Sequence, residues 1–118
     1  PLRSVHAMRF CCALEHDQAA LWQFANASFE AYFKHHRNLD DPSVLVDIAN
    51  EIGLEGDKLL ALSQDNKVKA HLRANTEEAI ARGAFGSPSI FVPFGEGHRL
   101  YFGNDQLPLV EWAIGNDV

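Results

Sequence analysis

Residue types able to do chemistry collect in a few short stretches of the 118-residue sequence. The most informative is Gly86-Ser87-Pro88-Ser89, which leads into the apolar run Ile90-Phe91-Val92. A proline placed after Gly-Ser and just before a strand suits a tight bend, and a cis Ser87-Pro88 bond would turn the backbone of Ser87 outward. Its N–H and C=O could then pair with an extended ligand as a short piece of added strand. Local sequence favours the plainer reading of a trans bond in a loop, since only about one X-Pro bond in twenty is cis. A second stretch, Gly103-Asn104-Asp105, reads as a turn that opens a helix, with Asp105 as an N-cap worth about 1 kcal/mol.

The other reactive residue types carry less. His35 and His36 are adjacent at a helix end, and His6, His16, His71 and His98 lack paired ligand spacing. Structural or solvated roles are expected for all six, and no metal. Cys11 and Cys12 are neighbours, so they cannot form a CxxC pair, and a disulfide between them would be strained. They read as small helix residues in a reducing, cytoplasmic-type compartment. Glu77-Glu78 reads as a solvated helix face.

Composition narrows the function classes. Lys and Arg number 10 against 16 Asp and Glu, a net charge of −6, the wrong sign for coating phosphates along DNA or RNA. With 47% hydrophobic and 22% charged residues the chain reads as an ordinary globular domain. No apolar run approaches the roughly 20 residues that span a bilayer, and Pro1-Leu2-Arg3-Ser4 lacks the order of a signal peptide. Neither a nucleic-acid partner nor a membrane is expected.

The elements that must position these residues are helices first. Leu2, Val5, Met8, Phe10, Cys12 and Ala13 form an imperfect helical stripe. Leu21, Trp22, Ala25, Phe29, Tyr32 and Phe33 recur at helical spacing and predict a long second helix with a buried aromatic face. Asp41-Pro42 opens a third helix with stripe Leu45, Ile48, Ala49 and Ile52, closed by Gly53. A short helix is expected over 56–63 and a longer one over 66–82, in which Thr76 either back-bonds within one helix or caps a new one, with Gly83 as the stop. The pattern then changes: 90–94 and 99–102 read as two strands around Gly95-Glu96-Gly97, with Pro93 at an edge or bulge. A final helix runs from Asp105 to Gly115. A lone hairpin is marginal, so something must cover Ile90 and Val92.

Ala81-Arg82-Gly83-Ala84-Phe85-Gly86-Ser87-Pro88, together with Phe102-Gly103-Asn104-Asp105-Gln106-Leu107, resembles the 2-hydroxychromene-2-carboxylate isomerase and kappa-class glutathione transferase family of the DsbA-like thioredoxin-fold superfamily. Ala7-Met8-Arg9, Asp41-Pro42-Ser43-Val44-Leu45 and Gly53-Leu54 add to the likeness. The resemblance implies a mostly α chain with a β-hairpin, in which 1–83 form a helical insertion and 84–118 the C-terminal strand-strand-helix of a thioredoxin fold, the N-terminal strand-helix-strand being absent.

It further implies glutathione as cosubstrate. Ser87, ahead of the cis-proline Pro88, would pair its backbone with the cysteinyl part, while Asn104 and Asp105 would hold the γ-glutamyl end. Helix N-terminal N–H groups and the Asn104 side chain suit a carboxylate, and the Asp105 carboxylate suits an ammonium. Gln106 departs from the family pattern, which usually has Arg there, so a bidentate carboxylate contact is lost. The family's catalytic serine would lie upstream of Pro1, so no catalytic residue is expected in the chain and these residues by themselves are expected to be inactive. The expected second partner is a small apolar or aromatic substrate in a pocket lined by Phe and Trp. A homodimer through the bare hairpin edge is also expected. A DsbA-like thiol-disulfide oxidoreductase and a noncatalytic helical binding or assembly module are the alternatives.

Overall fold

The structure is a computed structural model and describes residues 3–84 and 89–116, the side chains of Asn104 and Asn116 excepted. Its elements run α1 (Val5–Ala13), α2 (Gln18–His35), α3 (Pro42–Glu51), α4 (Gly56–Ser63), α5 (Asn66–Ala81), β1 (Ser89–Phe94), β2 (Gly97–Phe102), a 3-10 turn (Asn104–Gln106) and α6 (Leu107–Asn116). The expected class, mostly α with one β-hairpin, is the class observed. Two compact units divide the chain, Pro1–Ala74 and Asn75–Val118.

Local chemistry explains the helix ends of the first unit. Asp17 caps α2 by accepting from the Ala20 N–H at 3.1 Å. Asp41 caps α3, accepting from both the N–H and the hydroxyl of Ser43, with Pro42 in the first turn. Those two bonds hold the Asp41 carboxyl below its ordinary value. Gly53, at φ +86°, provides the left-handed residue that ends α3. Gly56 then lets α4 pack close: a Cβ there would stand 2.5 Å from the Val46 carbonyl, and its N–H donates to Asn50 Oδ1 at 2.9 Å. Arg37 Nη1 donates to both carboxylate oxygens of Glu51, tying the end of α2 to the end of α3.

The core of this unit centres on Phe10, Phe24, Leu45 and Ile48, each at most 2% exposed, with Phe10 and Phe24 stacked at 5.6 Å. The buried face of α2 corrects the expectation from spacing. It is Ala20, Phe24, Ser28 and Ala31, whereas Trp22, Phe29 and Phe33 are exposed. The two stripes lie on opposite sides of the helix, and the smaller one faces inward because Ala and Ser let α1 and α3 approach while Phe24 fills the space left. On α1 likewise Phe10 and Ala13 are buried and Val5 and Met8 exposed. Glu15 and His71 form an ion pair between the end of α1 and α5. α5 passes Thr76 as one continuous helix.

In the second unit β1 and β2 pair antiparallel from Ser89↔Phe102 to Phe94↔Gly97, leaving Gly95-Glu96 as a two-residue turn. Gly95 at φ +60° fits the type II′ turn that matches strand twist. With Phe94↔Gly97 closing the turn as a hydrogen-bonded pair, Pro93↔His98 is a non-bonded pair, so the missing proline N–H costs the ladder nothing. The cover that Ile90 and Val92 require is α6: Val92, Val110 and Ala113 are buried together, with Ile90 and Tyr101 against them, while Trp112 is exposed.

Candidate functional site

Ser87 and Pro88 lie outside the described residues, as do their neighbours Phe85 and Gly86. The structure does describe the chain that leads toward them. α5 ends at Ala81, Arg82 donates from Nη2 to Glu78 at 2.7 Å, and Gly83 at φ +95° makes the stop that its position predicts.

The other two expected residues share the turn that starts α6. Gly103 sits at φ +96°, and the Gln106 N–H donates to its carbonyl at 3.1 Å. That left-handed φ favours glycine, and a Cβ there would come within 2.6 Å of Asp105 Oδ1, so the exposed carboxylate would have to swing aside. Asp105 is exposed, and its Oδ2 accepts from the Gln106 side-chain amide at 3.3 Å. Gln106 thus reaches the carboxylate next to it in the chain. The backbone of Asn104 belongs to the same 3-10 turn. An exposed carboxylate at a helix N-terminus, with backbone N–H groups alongside, can take an ammonium and a carboxylate carried by one small molecule.

Two hollows have the size of small-molecule sites. In the first unit, one of about 390 Å³ lies between the end of α1, the α3–α4 connection and α4. Its apolar walls are Leu14, Leu54, Leu59 and Leu62, with His16, Glu55 and Lys58 at the rim. Leucines thus make up most of the apolar lining of this hollow. In the second unit a hollow of about 280 Å³ is bordered by Arg82, Phe91, Pro93, Glu96 and His98. There His98 Nε2 donates to the Arg82 carbonyl at 3.2 Å, its ring meets Phe91 edge-on at 5.1 Å, and the Arg82 guanidinium lies 5.5 Å from the Phe91 ring centre. Sequence reasoning did not link Arg82 to His98. The one available signal was the strand alternation that puts Phe91 and His98 on the same face.

Neither Cys11 nor Cys12 is in a disulfide. Burial, helped by the neighbouring Cys12, pushes the Cys11 thiol up to about 11, the opposite of what a thiolate nucleophile needs. Among the described residues no group of three or more His, Cys, Asp or Glu is placed to hold a metal ion. No described helix is long and apolar enough to cross a membrane.

The sequence pattern of the DSBA-like thioredoxin domain matches residues 2–115, nearly the whole chain. The chain belongs to that family. Within this DsbA-like family it is 29% identical over 97 residues to glutathione S-transferase kappa 2 of Caenorhabditis elegans, covering 80% of this chain and 43% of that protein. A crystal structure from Nitrosomonas europaea, described as a candidate protein disulfide isomerase, superposes with a TM-score of 0.76 at 17% identity, over 94% of this chain and 58% of the other. The DsbA-like chain thus spans about half the length of these relatives. The match supports the thioredoxin-type reading of helices followed by strand, strand and helix.

Proposed function

We propose that this DsbA-like chain takes part in glutathione-dependent chemistry of the 2-hydroxychromene-2-carboxylate isomerase or kappa-class transferase type. The observation that carries the reading is the Gly103–Gln106 turn, where a glycine in the left-handed region leads into an exposed Asp105 carboxylate at the start of α6. The likeness to a protein named as a kappa-class glutathione transferase supports it. In this reading 1–83 are the helical insertion and 84–118 the C-terminal strand-strand-helix of the thioredoxin fold.

Asp105 pairs with the γ-glutamyl ammonium of glutathione, Asn104 and the first N–H groups of α6 take its carboxylate, and Ser87, ahead of a cis Pro88, pairs with its cysteinyl backbone. Glutathione supplies the thiol, which adds reversibly to an unsaturated aromatic acid in the isomerase case and ends on an electrophile in the transferase case. The Leu-lined hollow of the first unit suits the apolar body of a small substrate. Cys11 and Cys12, outside any disulfide, suit a reducing, cytoplasmic-type compartment.

Titration calorimetry tests the proposal. The chain is expected to bind glutathione, Asp105→Asn to weaken binding by about tenfold or more through loss of a charged hydrogen bond, and Gln106→Arg to strengthen it by adding a carboxylate partner. Absence of binding by the native chain would sink the reading. The second reading, a thiol-disulfide oxidoreductase, is favoured by the fold shared with the Nitrosomonas structure. Disulfide exchange catalysed without glutathione would select it, although the buried Cys11 thiol is poorly suited to that work.

A further inference from the structure

Arg9 and Arg37 are both half-buried, and their surroundings differ sharply. Arg37 donates to both carboxylate oxygens of Glu51. Even the exposed Arg82 and Arg99 are engaged, the first by Glu78 and the second over the ring of Phe94 at 3.8 Å. The Nε of Arg9, by contrast, is shut off from solvent with no hydrogen-bond partner, and among the described residues its guanidinium meets no acid and no ring. Taking part of a cation out of water without a counter-ion costs stability that an uncharged side chain would keep, so the group calls for a ligand. We propose that Arg9 anchors the carboxylate of an aromatic acid, an assignment that rests on the glutathione-dependent reading of this chain and names a residue that selects its substrate.

Spacing on α1 sets what borders the guanidinium. Val5 precedes Met8 by three residues and Arg9 by four, so these three side chains adjoin on the helix surface. Val5 is 42% exposed and Met8 48%. An open valine and an open thioether beside a cation suit an anion that carries an apolar body, and a thioether favours contact with an aromatic ring. Ala13, four residues beyond Arg9, belongs to the wall of the Leu-lined hollow, so apolar surface borders Arg9 on that side as well. A planar guanidinium can meet both oxygens of one carboxylate at once, which a single ammonium does not do.

Charge along the chain points the same way. The sequence holds 16 Asp and Glu for a net charge of −6, yet residues 1–14 contain Arg3, His6 and Arg9 and no acid. His6 stands three residues before Arg9, on the side away from Met8. The first acid that follows, Glu15, is paired with His71. The acidic surface repels anions in general, and α1 is where the sign reverses, so a small carboxylate is steered to this helix.

Calorimetric titration with trans-cinnamate, in the absence of glutathione, tests this. The native chain is expected to bind trans-cinnamate, and to bind cinnamamide, which keeps the ring and double bond without the charge, about tenfold or more weakly. Arg9→Gln is expected to bring cinnamate down to the affinity of cinnamamide and to leave cinnamamide unchanged, with Arg9→Lys recovering part of the loss. Met8→Ala should weaken both ligands alike. Because an unpaired, half-buried charge is removed, the urea midpoint of Arg9→Gln should hold or rise. A fall in that midpoint marks Arg9 as structural and overturns the proposal. So does a native chain that binds no cinnamate, cinnamate binding indifferent to Arg9→Gln, or acetate bound as tightly as cinnamate. Glutathione binding is read in its own titration, so its failure tells against the glutathione reading and not against Arg9.

Discussion

Ser28 illustrates how much a single side chain can reveal about α2. It is 6% exposed, and its Oγ has no hydrogen-bond partner among the described residues. A buried hydroxyl without a partner carries a desolvation cost that a methyl group does not, so Ser28→Ala is expected to stabilise the chain by about 1 kcal/mol, read as a higher urea midpoint. Cys11 makes a pH-dependent prediction. Its thiol loses the proton near 9.0 ordinarily and at about 11 in the folded chain. Below 9.0 both states keep the proton and Cys11 adds no slope. From 9.0 to about 11 the unfolded chain ionises first, so stability falls as pH rises. Urea unfolding across that window should show a shallower decline for Cys11→Ala than for the native chain. Asp105 and Gly103 show the limit of what residues disclose in isolation. The Gly-Asn-Asp order signals a turn and a cap, but that a Cβ at position 103 would strike the carboxylate is visible only in the folded backbone.

Among the elements α2 is the most instructive. Its sequence carries apolar stripes on two opposite sides, and aromatic content pointed to the wrong one. Two substitutions separate them: Phe24→Ala should cost about 3–5 kcal/mol, whereas Phe33→Ala, on the exposed stripe, should cost well under 1 kcal/mol. Paired urea titrations at low concentration read the difference. The hairpin was far more legible. Its strands and turn follow from β-branched and aromatic residues around Gly95, and Pro93 sits at a non-bonded pair where its missing donor is harmless. Thr76 could not be resolved from sequence, because capping and continuation use the same residue type; α5 continues through it.

Over the whole molecule the two units have unequal cores. Eleven buried residues, from Phe10 to Leu59, hold the first, whereas Val92, Val110 and Ala113 are those found buried in the second. A small core opens at low free energy, so hydrogen exchange should be slower in α2 and α3 than in β1, β2 and α6, by about an order of magnitude or more. Glutathione, if it binds at the α6 turn, should slow exchange in the second unit selectively. Uniform protection across the chain would contradict the partition into two cores.

The sequence by itself determined where most helices begin and end, because Asp17, Asp41, Gly53 and Gly83 act through bonds and dihedral angles within a few residues of themselves. It also determined the strand-turn-strand order and, through the Ser87-Pro88 and Gly103–Gln106 segments, the family likeness. Tertiary structure alone decided which side of α2 is buried, that Leu14, Leu54, Leu59 and Leu62 come together around one hollow, and that Arg82 meets His98 and Phe91. Each of these depends on which surfaces approach one another. Periodicity records that a helix has an apolar side, but the choice between two such sides belongs to the neighbour that packs against it.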